Sequence, residues 1–285
     1  MNIVLTGHDG FIGRHYHNLI KDDNQIFAFD KTSGNDLCDI SVVNKIPDCD
    51  AVVHMAATNG TKLFYEIPTE VSFNNTIPTF NLIKRFKDTK TKFVFTSTCE
   101  IFNGAIDDGL YPVPTDENVP VMFKDVINPR WSYSLPKALG ENLVANSGLH
   151  WLIIRYFNIY GPGQKDHFIS EFVERAAKGE YYLKGDDTRS FCYVQDAVNI
   201  THHLVKHANN EIVNVGKQEE VKISDVARII LDIMGVDPDK LEIQPSPLGS
   251  AKRRCPDTSK MLRLTDYKYK FSLQQGLKLT VESLL

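Results

Sequence analysis

Gly7, Gly10 and Gly13 follow directly on the apolar run Asn2–Thr6 and open the segment FIGRHYHNLI. Three glycines at this spacing between a strand and a helix constrain the chain more than any other feature. The first permits a tight turn, the second lets backbone approach a bulky anion, and the third lets helix and strand pack closely. The free amides and dipole of the helix N-terminus then face that anion, as a pyrophosphate requires. Asp30 ends the second apolar run, QIFAFD, about 20 residues further on, where a dinucleotide fingerprint places its acid. A carboxylate there accepts hydrogen bonds from the adenosine ribose and repels a 2′-phosphate, so NAD(H) is expected over NADP(H).

Short apolar segments alternate with helical ones along the first two-thirds of the chain: NIVLT, QIFAFD, AVVHMAA, KFVFTST and HWLIIRYF are the strands. Long helices are expected around Glu66–Lys87 and Tyr133–Asn146. Strands this apolar are buried on both faces, which gives an α/β fold with a doubly wound parallel (Rossmann) sheet. The stretch Gly104–Arg130, with Gly109, Pro112, Pro114, Pro120 and Pro129, reads as a long functional loop. After Gly161-Pro162-Gly163 the pattern becomes α+β, with helices near Ile169–Lys178, Val194–His207, Ile223–Met234 and Leu273–Leu284. The expected division is residues 1–161 for the dinucleotide, with 188–216 returning to it, and 162–285 as a smaller, interleaved substrate-binding part.

The net charge of −4 carries no block of like charges, which argues against a nucleic-acid or membrane-facing surface. No apolar run reaches the ~18 residues of a membrane span. The chain starts in a strand, so no signal peptide is expected. Five scattered cysteines without a CxxC suggest reduced thiols in the cytoplasm. The cysteines read first as small buried hydrophobes, and for Cys99 a site role stands as the second reading because of its neighbours. His203 and His207, four apart on a helix, have no evident third ligand, so no metal is expected. His54 ends a buried strand and reads equally as core or as cofactor-adjacent.

Tyr133 and Lys137 lie four apart in WSYSLPK, on one face of a helix. An isolated phenol ionises near pH 10, and a lysine one turn away is expected to bring that value down. The pair then suits taking a proton from an alcohol while a hydride leaves the same carbon.

With the glycine motif, these residues resemble the extended short-chain dehydrogenase/reductases, specifically the NAD-dependent nucleotide-sugar epimerase/dehydratase family, end to end. Phe11 and Ile12 fall inside the glycine motif. Asp36-Leu37 is similar to the family's adenine-contacting pair. His54-Met55-Ala56-Ala57 resembles the HxAA motif after its fourth strand, and Asn74 the asparagine of the next long helix. Thr96-Ser97-Thr98 resembles the hydroxyl run whose last member bonds the reacting oxygen. Arg155–Gln164, Arg189–Asp196 and Asn214–Gly216 follow in family order, and Arg253–Lys260 resembles the segment with a diphosphate-binding arginine.

The resemblance implies Tyr133 as the base for the sugar 4-hydroxyl, with Thr98 sharing that hydrogen bond. Lys137 would tune the tyrosine and hold the nicotinamide ribose. It implies Asn158 and Arg189 on the nucleotide-sugar and Arg253 or Arg254 on its diphosphate. It also implies a homodimer in which the helices near Glu66–Lys87 and Tyr133–Asn146 form a four-helix bundle across a two-fold axis.

Three departures stand out. Pro136 removes a backbone donor unless it lies in the first helical turns. The KGDDTRSF region is short for the family. Cys99-Glu100 replaces the Asp-Glu of the 4,6-dehydratases, which weakens that reading but keeps Glu100 as an acid/base. UDP-glucuronate decarboxylases carry Glu at the matching position, and INPRWSYS resembles their stretch before the lysine. The sequence therefore ranks epimerisation through a 4-keto intermediate first. Decarboxylation of a nucleotide-uronic acid comes next, then 4,6-dehydration and, outside the enzymes, a dinucleotide-sensing regulatory module.

Overall fold

The alternating pattern folds as expected in a computed structural model, which describes residues 1–245 and 252–285. Strand β1 (Asn2–Thr6) leads through α1 (Phe11–Ile20) to β2 (Gln25–Phe29). Then come β3 (Ala51–His54), α2 (Pro68–Phe86), β4 (Lys92–Thr98), α3 (Trp131–Ala145) and β5 (His150–Tyr156). After an excursion, α4 (Val194–His207) and β6 (Glu211–Val215) complete a six-stranded sheet. Its spatial order is β6-β5-β4-β3-β1-β2, and every neighbouring pair is parallel.

Alternation along β1 decides the layers. Ile3 and Leu5 point to one face, with Val53, Val94, Leu152 and residues of α1 and α4. Val4 points to the other, with Phe93, Phe95, Leu82 and Val144 of α2 and α3. Strands that are apolar on both faces therefore fill two cores at once. The chain winds outward from β1 to β2 and then returns to lay β3 on the other side of β1. In open parallel sheets that reversal leaves a crevice beyond the carboxyl ends of the strands.

One expectation needs correcting: the HxAA-like segment follows a third strand, not a fourth. Between β2 and β3 lie only a 3-10 turn, Lys31–Ser33, and the short helix Ile40–Val43. Asp30, Asp36 and Asp39 each accept a hydrogen bond from the backbone two residues on, at 3.0, 2.9 and 2.8 Å. Such local turns compete with an extended ladder.

Pro136 is the sixth residue of α3, inside the helix rather than in its first turn. It removes the N–H that would bond the Ser132 carbonyl. The Ser72 hydroxyl of α2 donates to that carbonyl instead, at 3.1 Å. Gly140 sets how close α3 comes to the sheet, because a Cβ there would lie 2.4 Å from the Phe95 ring. These contacts fix the height of the helix that carries Tyr133 and Lys137.

The expected loop 104–130 begins within a short helix, Asn103–Asp107, and then runs without helix or strand to α3. Three further helices, Phe168–Ala176, Ile223–Ile233 and Leu273–Leu284, enclose a separate core around Phe172, Ile230 and Leu277. A small sheet beside it joins Thr188–Ser190 to Glu220–Lys222 and to Arg253–Arg254. Among the described residues, no helix is long and apolar enough to cross a membrane.

Candidate active site

Two adjoining cavities occupy the crevice. The smaller, about 280 Å³, is lined by Gly7, Gly10, Asp30, Asp36, Leu37, Ala56, Ala57 and Asn74. The larger, about 690 Å³, takes in Gly13, Phe11, Ile12, Thr98, Glu100, Tyr133, Lys137, Asn158, Arg189 and Arg254. Gly7 and Gly10 line both. All the residues expected to hold the cofactor therefore face one continuous cleft.

The glycine loop fits a dinucleotide on its own geometry. Gly7 sits at φ +74, where a Cβ would come within 2.5 Å of the Ala56 nitrogen. At Gly13 a Cβ would lie 1.9 Å from the Gly7 carbonyl oxygen. The α1 N-terminus is thereby drawn against β1, leaving its amides toward the cleft. His54 belongs to the core: it is 1% exposed, and its ring meets the Thr6 hydroxyl at 2.7 Å and the Thr79 hydroxyl at 3.0 Å. Asn75, which the sequence reading passed over, locks the loop after β3. It accepts from the Thr58 N–H at 3.0 Å and donates to the Thr58 carbonyl at 2.9 Å.

Tyr133 stacks on Phe64 with ring centroids 5.3 Å apart and planes 11° from parallel. Lys137 donates to the Thr96 carbonyl at 2.7 Å, and its ammonium lies 5.9 Å from the centre of the Tyr133 ring. The expectation that this lysine lowers the phenol is not met. Burial first, then the neighbouring Glu100 and Cys99, push Tyr133 up, while burial brings Lys137 down to about 7. The physical reason is direction: the ammonium serves a backbone carbonyl and the ring face.

Thr98 ends β4 and caps the 3-10 turn Cys99–Phe102, its hydroxyl accepting from the Glu100 N–H at 3.3 Å. That turn swings Glu100 into the larger cavity, where Arg254 Nη1 meets Glu100 Oε1 at 3.1 Å. Burial works to raise the Glu100 pKa, but Arg254, then Arg130 and His167, outweigh it and hold the carboxyl below its usual range. Glu100 Oε2 and Arg254 Nε have no hydrogen-bond partner. Cys99 also faces this cavity, its thiol pushed up to about 11 chiefly by burial.

Of the adjacent arginines, only Arg254 lines the cleft. Arg253 turns away and pairs with Glu220 through two bonds of 2.8 and 2.6 Å, so its expected role in substrate binding is not supported. Successive residues of a strand point to opposite sides, and Arg253–Arg254 is such a strand. Asn158, at φ +39, lines the cavity and donates to the Ser190 carbonyl at 2.9 Å, which steadies the strand carrying Arg189. Arg130, Lys165 and His167 also face the cavity and were not singled out from sequence. They lie on loops that only the tertiary fold brings to the site.

Comparison with known proteins places this cleft in a group. Residues 3–216 match the sequence profile of the NAD dependent epimerase/dehydratase family. The UDP-N-acetyl-alpha-D-glucosaminuronate decarboxylase of Bacillus cytotoxicus is 31% identical over 98% of this chain and 96% of its own length. The chain belongs to the NAD dependent epimerase/dehydratase family. Thermotoga maritima UDP-glucose 4-epimerase, solved with UDP-glucose, superposes with a TM-score of 0.86 at 26% identity, covering 99% of this chain and 98% of that one. The Thermus thermophilus UDP-glucose 4-epimerase, in complex with NAD, gives 0.83 at 25% identity, covering 100% and 99%. This family member is an NAD-dependent enzyme that modifies nucleotide-sugars.

Proposed function

We propose that this enzyme decarboxylates a nucleotide-activated uronic acid. The observation that carries the reading is Glu100, set in the cavity beside Tyr133 and held ionised by a wall of cations. A plain 4-epimerase, served by Tyr133 and Thr98, has no need of that carboxylate. Support comes also from the 31% identical relative whose name is that of a uronate decarboxylase.

Tyr133 takes the proton of the sugar 4-hydroxyl, with Thr98 sharing the hydrogen bond to that oxygen. NAD, when bound, supplies the hydride acceptor and a cationic ring that offsets the high pKa of the buried phenol. The C4 ketone stands β to the C6 carboxylate, so the C5–C6 bond breaks, CO2 leaves, and the electron pair passes into the C4–C5 enolate. C5 would then take a proton from a water that Glu100 orients, the hydroxide left behind being taken up by the released CO2 as bicarbonate, and Tyr133 would give its proton back to the C4 oxygen as that carbon is reduced again. Arg189 and Arg254 supply charge-assisted bonds to the anionic groups of the substrate.

Incubation with NAD and UDP-glucuronate or UDP-N-acetylglucosaminuronate, followed by mass spectrometry, tests this reading. A product lighter by one CO2 is expected. An unchanged mass with inverted C4 would establish the second reading, epimerisation, which the match to the Thermotoga maritima epimerase favours. Loss of water would indicate dehydration, and absence of any turnover a binding module.

We infer further that two copies pair through α2 and α3 as a homodimer. Phe73 and Phe80, seven apart on α2, are 59% and 51% exposed, and Leu139 of α3 is 46% exposed. Light scattering should give a dimer mass for the wild type and a monomer mass for Phe80→Glu. The five cysteines are all free thiols, which suits a cytoplasmic setting.

A further inference from the structure

Asp9 lies between Gly7 and Gly10 in the phosphate-facing loop and lines both cavities. Its backbone N–H donates to Asp30 Oδ2 at 3.2 Å, so the glycine loop and the end of β2 are joined there. Its carboxylate Oδ2 lies 2.6 Å from the Thr32 hydroxyl and 2.7 Å from the Ser33 hydroxyl. The Thr32 hydroxyl is also 2.9 Å from Asp30 Oδ1. Carboxylate oxygens of Asp9 and Asp30, with a ring nitrogen of His8, fall within 4.8 Å of one another. Of the nearby cations, Lys31 is turned onto Asp36 at 3.1 Å, and Arg14 donates to the Asp9 carbonyl at 3.2 Å.

Asp30 alone suffices to receive a ribose hydroxyl, so a second carboxylate at this corner calls for another explanation. We propose that Asp9 is a coenzyme-selectivity residue, acting with Asp30 to exclude the 2′-phosphate of NADP from this enzyme. The two hydroxyls that could otherwise donate to such a phosphate are engaged by Asp9, and the lysine that could neutralise it is engaged by Asp36. A phosphate monoester brings about 1.5 to 2 further negative charges into a corner that already holds two carboxylates. Hydrogen bonds from Thr32 and Ser33 hold the Asp9 carboxyl below its usual range, so it is ionised at neutral pH. Asp9 is exposed, which limits the repulsion to that of a solvent-screened pair.

Calorimetric titration of NAD+ and NADP+ tests the assignment without reference to any substrate. Asp9→Asn keeps an oxygen for Thr32 and Ser33 and removes only the charge. It should tighten NADP+ binding roughly three- to tenfold in low salt while leaving NAD+ within about twofold. The gain should shrink in about 0.5 M salt, where screening shortens the reach of the charge. Asp30→Ala serves as the reference and should relax selectivity further, because it also loses the ribose contact. Unchanged NADP+ affinity in Asp9→Asn at low salt would overturn the proposal. So would parallel weakening of both cofactors, which would assign Asp9 to holding the loop in shape.

Discussion

Two of the carboxylate–guanidinium pairs in this fold are built differently. Glu141 of α3 and Arg155 of β5 meet through two bonds of 2.9 and 2.8 Å, and a third arginine nitrogen donates to the Glu117 carbonyl at 3.0 Å. Both side chains are nearly buried, Arg155 at 4% and Glu141 at 8% exposed. Glu100 and Arg254 share one contact of 3.1 Å, leaving Glu100 Oε2 and Arg254 Nε without partners in the wall of the large cavity. A pair whose groups are all satisfied contributes rigidity, here by riveting the helix of Tyr133 and Lys137 to the sheet. A pair left half-satisfied keeps hydrogen-bonding capacity for something that enters the cleft. The scaffold and the site thus use the same two residue types for opposite ends.

Substitutions can break this contrast. The largest effect is expected at the site: Tyr133→Phe should reduce turnover by roughly 10²–10⁴-fold, with the melting temperature and NAD binding little changed. The scaffold should respond in the reverse sense. Glu141→Ala leaves Arg155 buried and unpaired and should cost about 3–5 kcal/mol in a denaturant titration. Glu100→Gln comes next. If the carboxylate serves decarboxylation, the rate should fall about ten- to a hundredfold with stability nearly constant; a rate within twofold of wild type would return epimerisation to the front.

A last effect sharpens the comparison through pH, modest at each step of a titration. Burial lowers His54 to about 3, against an ordinary value of 6.5. Below pH 6.5 the unfolded chain therefore binds a proton that the folded chain refuses. Stability should fall by up to about 1.4 kcal/mol for each pH unit from 6.5 down toward 3. His54→Gln should flatten that slope from pH 6.5 downward in acid-unfolding curves, whereas Glu100→Gln should act only below the ordinary glutamate value of 4.5.

The sequence made the cofactor half legible because its signals are local. Gly7, Gly10, Gly13 and Asp30 flank two consecutive strands, and Tyr133 and Lys137 share one helical turn. The strands were legible for the same reason, each being an uninterrupted apolar run. The substrate wall was harder to read. Arg130, Lys165 and His167 reach it from loops with no periodic signal, and the choice between Arg253 and Arg254 depends on which side of a two-residue strand faces inward. Asp9 stood in plain view between the first two glycines of the motif, but its significance depends on Thr32 and Ser33 folding back toward it. A missing strand between β2 and β3 was foreshadowed only by three aspartates, each of which ties down the backbone two residues on.

The broken rung in α3 bears on how this protein can change over time. Pro136 and Ser72 answer for the same Ser132 carbonyl, one by vacating it and the other by occupying it. Exchanging Ser72 alone strands a carbonyl, and restoring an N–H at residue 136 alone leaves a serine hydroxyl competing for an acceptor already taken. The two positions are therefore bound as a mutational pair across separate helices: a double-mutant cycle between them should be non-additive, and whichever residue drifts first sets what the other is permitted to become.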